Sequence, residues 1–570
     1  MITIKKLISA EVECILKKLN ADCTIEASTV EEMLEYPPDE KMGDLALPCF
    51  KLSKIMRMAP VKIASAIAES FSVDAVAKAE AVNGYFNIYL DGQYLANKVV
   101  SEVKEKGDSY GAPSLGEGKT VVLDYSSPNV AKPFHIGHLG TTVIGHSLKR
   151  LHEFAGYKCV GINYLGDWGT QFGKLITAYR KWGNAELIEQ GGIDKLVELY
   201  VKFHEEAEKD PALNDEARAE FRKLEDADED NIKLWRWFVD ISLAEYQKTY
   251  AQLDIEFDSY KGESFYTDKM PAQVQKLRDM GLLKIDDGAS IVDLEPYGMT
   301  PCLILKRDGS TLYPTRDIAA AVYRKETYDF EKMIYVTSAG QSLHFAQWFK
   351  VVELMGYEWF DKLVHVPYGT VSINGEKLAT RTGNVILLRD LFAQAIAKVA
   401  SIMEEKNPNL EGKDKISEQV GVGAIVFYYL SNNRIRDINF MMEDALSFEG
   451  NTGPYVQYTY ARTCSVLAKS PKINENDELT ITADEETALL KTLSRFEEVV
   501  REAIDAYEPS VVTRYILDVA GAYNRFYHNC SILGAENDSV RNTRLAITNA
   551  ANTVLGNAFG LICLAKTEKI

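Results

Sequence analysis

The chain has 570 residues, 46% apolar and 26% charged, values of an ordinary globular protein that exclude disordered, collagen-like and coiled-coil chains. At ~100–200 residues per domain, that length asks for about three domains. The net charge of −19 is spread as −4 over 1–110, −9 over 111–395 and −6 over 396–570; no region is basic enough for a sequence-independent nucleic-acid coat, so any nucleic-acid partner would be met by local patches.

Residues 2–20 alternate Leu, Ile and Val with Lys and Glu at helical spacing, which predicts an amphipathic helix rather than an export signal. No apolar run approaches the ~18 residues of a membrane-crossing helix. A second helical pattern covers 51–70, and 84–90 alternates as a strand. Residues 107–118 hold four glycines, a proline and two serines, which predicts a linker closing an α+β domain over 1–106. A buried strand follows at 120–126, and the alternation of strand and helix patterns after it predicts parallel βαβ units over 119–390. Residues 171–255 are largely helical and highly charged, and predict an insertion whose limit falls near 300. Strand signals return at 302–306, 333–337 and 364–373. From about 390 the pattern is nearly all helix (388–405, 417–430, 440–448, 454–469, 484–506, 509–533 and 540–564), an all-α domain over 391–570. The eight cysteines form no C-x2-C pair, so no protein-bound zinc is expected, and reduced thiols in a cytoplasmic protein are.

Residues 126–139, SSPNVAKPFHIGHL, connect the strand to a helix predicted from Gly137 through Arg150. A strand-loop-helix turn at the carboxyl end of a parallel strand is where α/β sheets bind nucleotides, and the helix presents free N–H groups and a positive dipole end to phosphates. His135 and His138, three apart, face one point, and Gly137 between them lets a flat base approach the backbone. Two imidazole donors there stabilise charge growing on a phosphorus undergoing displacement. Packing histidines are the plain alternative. A metal site built from His135, His138, His146 and His152 lacks an acidic or thiol ligand to complete the spacing.

The H-x-G-H turn resembles the signature of class I aminoacyl-tRNA synthetases, and the stretch from Ser126 to Leu139 resembles its arginyl form. The resemblance implies a Rossmann-type α/β catalytic domain, and it identifies Lys377 in the run KLATR, 377–381, with the class's second signature. A lysine on a mobile loop can swing a cation onto the leaving pyrophosphate. Arg381 stands where the class usually carries a second lysine, and Lys132, just upstream of the histidines, matches the family's compensating lysine. A guanidinium needs planar bidentate acceptors, and the resemblance makes Asp124, Asn129, Tyr313, Asp317 and Gln341 the amino-acid pocket, with the Tyr-x-Thr-Arg-Asp run at 313–317 its arginine-specific motif. It implies ATP with Mg²⁺ as co-substrate, bound by His135, Gly137, His138 and Lys377. Residues 36–90 resemble a domain that meets the tRNA elbow. The run 451–462 resembles the start of an anticodon-binding core reaching from about 450, where Asn451, Tyr455, Tyr458 and Arg462 would meet unpaired bases. The implied function is charging of tRNA(Arg) with L-arginine, through an activation step that itself needs tRNA, by a monomer. A class I synthetase for lysine and a synthetase-derived RNA-binding protein without catalysis are the two rivals.

Overall fold

The structure is a computed structural model that describes residues 1–377, 386–471 and 478–570. At its centre, four strands lie in one parallel sheet: β1 (Thr120–Asp124), β2 (Lys158–Ile162), β3 (Lys332–Ser338) and β4 (Leu363–Tyr368), in the order β4-β3-β1-β2. The apolar run of β1 is explained by burial on both sides: Val121, Val122 and Leu123 are inaccessible. Helix α1 (Leu139–Phe154) lies so close that a Cβ on Gly145 would sit 2.3 Å from the Tyr125 side chain. From β1 the chain moves outward to β2, whereas β3 and β4 build in the opposite direction. The crevice at the carboxyl ends of β1 and β3 is therefore the switch point where such sheets bind ligands.

The insertion between β2 and β3 starts with the helices Thr170–Trp182, Ala185–Lys209 and Ala212–Glu225, continues with α2 (Glu229–Gln252) and ends its helical part with Met270–Asp279. It is not helical to 300. Leu283–Asp286, Ala289–Val292 and Cys302–Leu305 form a three-stranded antiparallel sheet, because Asp287 and Gly288 adopt φ of 46° and 81° and an Asp-Gly pair of that kind makes a tight hairpin. Helices α3 (Tyr313–Tyr328) and α4 (Ser342–Leu354) then alternate with β3 and β4.

The amino-terminal region packs helix Pro60–Ser70 on an antiparallel sheet of Leu45–Pro48, Tyr85–Leu90 and Val76–Val82, with helix Ile2–Leu19 against that helix. It is fastened to the carboxyl-terminal helices by Lys491–Asp44 (2.7 Å) and Lys5–Glu498 (2.9 Å). Residues 107–118 hold one short 3-10 turn, Gly107–Ser109, and are seated rather than free. Tyr110 is buried, Asn557 Nδ2 donates to the carbonyls of Gly107 and Tyr110, and a Cβ on Gly111 would fall 2.1 Å from Phe496. Glycine here serves close approach as much as flexibility.

The helices from Leu388 onward follow the predicted run with two departures: 484–506 is split at Arg495 into Asp484–Ser494 and Phe496–Asp505, and 440–448 is mostly not helix. Within 440–448 only Met442–Ala445 is helical, and Ile438–Phe440 is a strand parallel to Val371–Ile373. That pairing ties the helices Leu388–Lys406 and Lys413–Leu430 back to the central domain. Among the described residues, no helix is long and apolar enough to cross a membrane.

Candidate active site

After β1 the chain enters a loop with three non-glycine residues in left-handed backbone: Ser126 (φ 69°), Ser127 (φ 43°) and Ala131 (φ 57°). Such strain persists only where neighbours hold it. Ser126 N donates to Thr141 Oγ1 (3.0 Å), its Oγ lies 2.8 Å from Tyr250 Oη, and Ala131 N donates to Ser242 Oγ (3.0 Å). A single 3-10 turn, Ile136–His138, then leads into α1. The two histidines of this turn cap it reciprocally. Gly137 N donates to His135 Nδ1 (3.0 Å) and His135 N donates to His138 Nδ1 (3.2 Å). A nitrogen that accepts carries no proton, so in both rings the proton sits on Nε2. Burial, reinforced by the charge of Lys132, lowers His135 to about 4; burial, then His135 and Lys132, lower His138 to about 3. At neutral pH the turn therefore offers two uncharged Nε2–H donors on rings 4.0 Å apart, with Phe134 stacked on His138 at 5.1 Å.

A cavity of about 600 Å³ opens at the switch point, and Asp124, Asn129, His138, Tyr313, Asp317 and Gln341 all line it. The five residues expected to hold the amino acid thus meet one histidine of the nucleotide turn, while Lys132 stands exposed on the loop nearby. Three carboxylates reach the cavity and differ in what they face. Asp124 accepts from Arg324 Nη1 (2.8 Å) and from Ser127 Oγ (2.9 Å); burial raises its carboxyl, with Arg324 and Ser127 opposing. Glu263 is joined to Arg316 (2.7 Å) and is pushed up to about 7, chiefly by burial. Among the described residues, the one hydrogen-bonding or ion-pair partner of the Asp317 carboxylate is the imidazole of His344, at 2.6 Å. Among those residues two of the acids are thus balanced by arginines and Asp317 is not. Tyr164 and Tyr335 also line the cavity; among the described residues the Tyr164 hydroxyl has no hydrogen-bond partner and keeps that capacity for a ligand or water.

Glu263, His344 and Arg324 escape the reading of the sequence. His344 stands inside the QSLHF run, 341–345, and Arg324 follows Asp317 by seven residues on the same helical face, so both left a signal. Glu263 opens a short 3-10 turn, Glu263–Tyr266, inside the insertion and left none.

The second expected signature opens from a hairpin, Val371–Ile373 paired with Glu376–Lys377 across Asn374 (φ 50°) and Gly375 (φ 82°). Only the backbone of Lys377 is described; its side chain, and Arg381 with the rest of 378–385, lie outside the described residues. Where the chain resumes, Ile136 N donates to Ile386 O (3.2 Å) and Leu388 N to Phe134 O (2.9 Å), so the returning segment is stitched to the histidine turn.

In the carboxyl-terminal helices, Thr452 caps Gly453–Ala468 by accepting from Tyr455 N (3.2 Å). Tyr458 is exposed, and the Arg462 guanidinium lies 5.2 Å from its ring and 4.9 Å from that of Tyr527, a stacking surface on the edge of an open groove. Tyr527 was not expected. Tyr455 is half-buried, its hydroxyl accepting from Asn524 Nδ2 (3.0 Å), and Asn451 is exposed in the preceding turn. Among the described residues, no three His, Cys, Asp or Glu side chains are grouped to hold a metal ion.

Residues 99–442 match the model of the class I (R) tRNA synthetase catalytic domain, residues 456–570 the DALR anticodon binding domain and residues 3–90 the arginyl tRNA synthetase N terminal domain. The catalytic match thus runs past 390, through the helices that Ile438–Phe440 ties back. Over 543 residues the chain is 50% identical to an arginine–tRNA ligase of Alkaliphilus metalliredigens, covering 95% of this chain and 96% of that one. Over 559 residues it is 47% identical to an arginine–tRNA ligase of Clostridium perfringens, covering 98% and 99%. Its fold is similar to that of Thermus thermophilus arginyl-tRNA synthetase, with a TM-score of 0.82 at 24% identity over 98% of this chain and 99% of that one.

Proposed function

Since the chain belongs to the arginyl-tRNA synthetase family and is an arginine–tRNA ligase that uses ATP, we propose how its residues divide that reaction. The carboxylate of L-arginine attacks the α-phosphorus of ATP, and pyrophosphate leaves. The 3′-terminal ribose hydroxyl of tRNA(Arg) then attacks the carbonyl of arginyl-adenylate, and AMP leaves. The Nε2–H groups of His135 and His138 donate to the phosphate oxygens on which charge grows; fixed neutral donors need no reorganisation as it does so. The tip of α1 adds its dipole, and Gly137 gives the nucleotide close access. Lys132, Lys377 and Arg381 are the cations assigned to the triphosphate and the departing pyrophosphate. Mg²⁺ enters with ATP as part of the substrate. No covalent enzyme intermediate is needed.

Asp317 receives the guanidinium. The observation that carries this reading is that an uncompensated carboxylate and a neutral histidine of the nucleotide turn line one cavity. Tyr313 covers the alkyl stem, and Asn129 and Gln341 offer amides to the substrate's α-amino and carboxylate groups. Asp124, already engaged by Arg324, completes the cavity floor as an acceptor beside Ser127.

Asn451, Tyr455, Tyr458 and Arg462 meet the anticodon loop, the enzyme works as a monomer in the cytoplasm, and activation requires bound tRNA. Eight free cysteines suit a reducing compartment. Charging of tRNA with arginine or lysine as sole amino acid tests the reading: arginine is transferred and lysine is not. Arginine-dependent pyrophosphate exchange should appear only when tRNA is added, and vigorous exchange without it contradicts that part.

A further inference from the structure

One face of α2 touches the strained loop at several points. Tyr246 Oη donates to the carbonyls of Lys132 (2.7 Å) and Asn129 (2.8 Å). Ser242 Oγ accepts from Ala131 N (3.0 Å) and donates to Phe238 O (2.8 Å), and Tyr250 Oη lies 2.8 Å from Ser126 Oγ. Positions 242, 246 and 250 repeat at four residues, a single stripe of the helix. Glu245, beside that stripe, accepts from Arg389 Nη1 (3.1 Å), and Arg389 Nη2 also reaches Asp194 (2.8 Å). Arg389 stands two residues past Leu387, which bridges His135. A helix of the insertion thus holds the loop before the histidine turn and the segment stitched to it.

Lys132 follows Ala131, whose left-handed backbone (φ 57°) is unfavourable for a residue with a Cβ and has to be held from outside. The hydroxyl of Tyr246 spans that residue by gripping the carbonyls on either side of it, at 129 and 132. Without it two carbonyls lose their shared donor, and Ala131 is free to leave the left-handed region and swing the Lys132 side chain away. The ring makes a separate contribution: it packs 5.5 Å from Phe134, which stacks on His138.

We propose that Tyr246 is a positioning residue for adenylate formation, acting through Lys132: its hydroxyl fixes the turn that delivers the Lys132 ammonium to the phosphates. This rests on the assignment of Lys132 to the triphosphate made above.

The test is a double-mutant cycle on the full-length enzyme, with Tyr246→Phe, Lys132→Ala and their combination measured by pyrophosphate exchange in the presence of tRNA. Phenylalanine keeps the ring against Phe134 and removes only the hydroxyl. Tyr246→Phe should lower kcat/KM for ATP by about 10- to 100-fold, up to the loss that a ~1 Å misplacement of a catalytic group causes, while KM for arginine stays within about twofold and the melting temperature holds. Once Lys132 is alanine, Tyr246→Phe should change the rate no further, as expected of residues that act as one unit. An unimpaired Tyr246→Phe beside an impaired Lys132→Ala overturns the inference and leaves Lys132 in place, and so do additive losses. An unimpaired Lys132→Ala overturns the assignment of Lys132 itself. Should Tyr246→Phe fold poorly, Ser242→Ala, which removes the partner of Ala131 N, must give the same loss and the same non-additivity with Lys132→Ala, or the inference falls.

Discussion

Asp317→Asn separates charge from shape in the arginine pocket. Asparagine has the size of aspartate and keeps an oxygen for His344, now 2.6 Å from the carboxylate, so the helix and its neighbour have no reason to move. The loss is one negative charge facing a guanidinium. Two unit charges ~4 Å apart interact by about 4 kcal/mol at an effective dielectric of ~20. The Asp317 side chain is 20% exposed, so solvent screening trims that figure to roughly 2–4 kcal/mol. At about 1.4 kcal/mol per tenfold, KM for arginine should rise about 30- to 700-fold. KM for ATP should stay near its starting value, because the histidine turn is untouched. Steady-state aminoacylation with arginine and ATP varied separately measures both, and a melting curve confirms the fold. A rise below about threefold in a folded variant would show that the guanidinium is held elsewhere, and the charge comparison among Asp124, Glu263 and Asp317 would be the faulty step.

Asp124→Asn should behave differently: it strands the Arg324 guanidinium, 1% exposed, which costs roughly 3–5 kcal/mol, so calorimetry should show a melting temperature lowered by several degrees, and an unchanged one would contradict the pairing. His138→Ala should lower the adenylation rate by ~10²–10³, the usual loss for one fixed donor, as single-turnover adenylate formation would report. His146 and His152 are lowered by burial to about 3 and about 4, so the unfolded chain binds protons there that the folded chain does not. Stability from these two groups is complete above their ordinary pKa of ~6.5 and falls as pH drops below it, by about 2 kcal/mol per histidine between pH 6.5 and 5; a melting temperature flat from pH 7 to 5 would refute this. Tyr458→Ala and Arg462→Ala should each raise KM for tRNA by about 5- to 100-fold, the worth of ~1–3 kcal/mol of base stacking, with KM for arginine unchanged at saturating tRNA.

Much of the architecture was written locally. The strand β1, the turn carrying His135 and His138, the break at 107–118 and the helices of the carboxyl-terminal region each follow from residues near one another in the chain, because period, caps and turn residues act over a few positions. Even the misread end of the insertion had a local signal, the Asp287-Gly288 pair between two alternating runs. The motifs likewise named the five residues that line one cavity.

What those residues do to one another was a tertiary matter. That Asp124 is balanced by Arg324 and Asp317 is not depends on pairings across 200 and 27 residues, and no spacing rule distinguishes two aspartates before the chain folds. The neutrality of His135 and His138 came from burial and from backbone donors in the folded turn, and Glu263 reached the cavity from a 3-10 turn of the insertion. The same holds for α2 gripping a strained loop 114 residues earlier through Tyr246. Local pattern decides which segments become helices, strands and turns. The charge, tautomer and rigidity of a side chain are set by whatever lies within a few ångströms of it, and in this fold those neighbours come from distant parts of the chain.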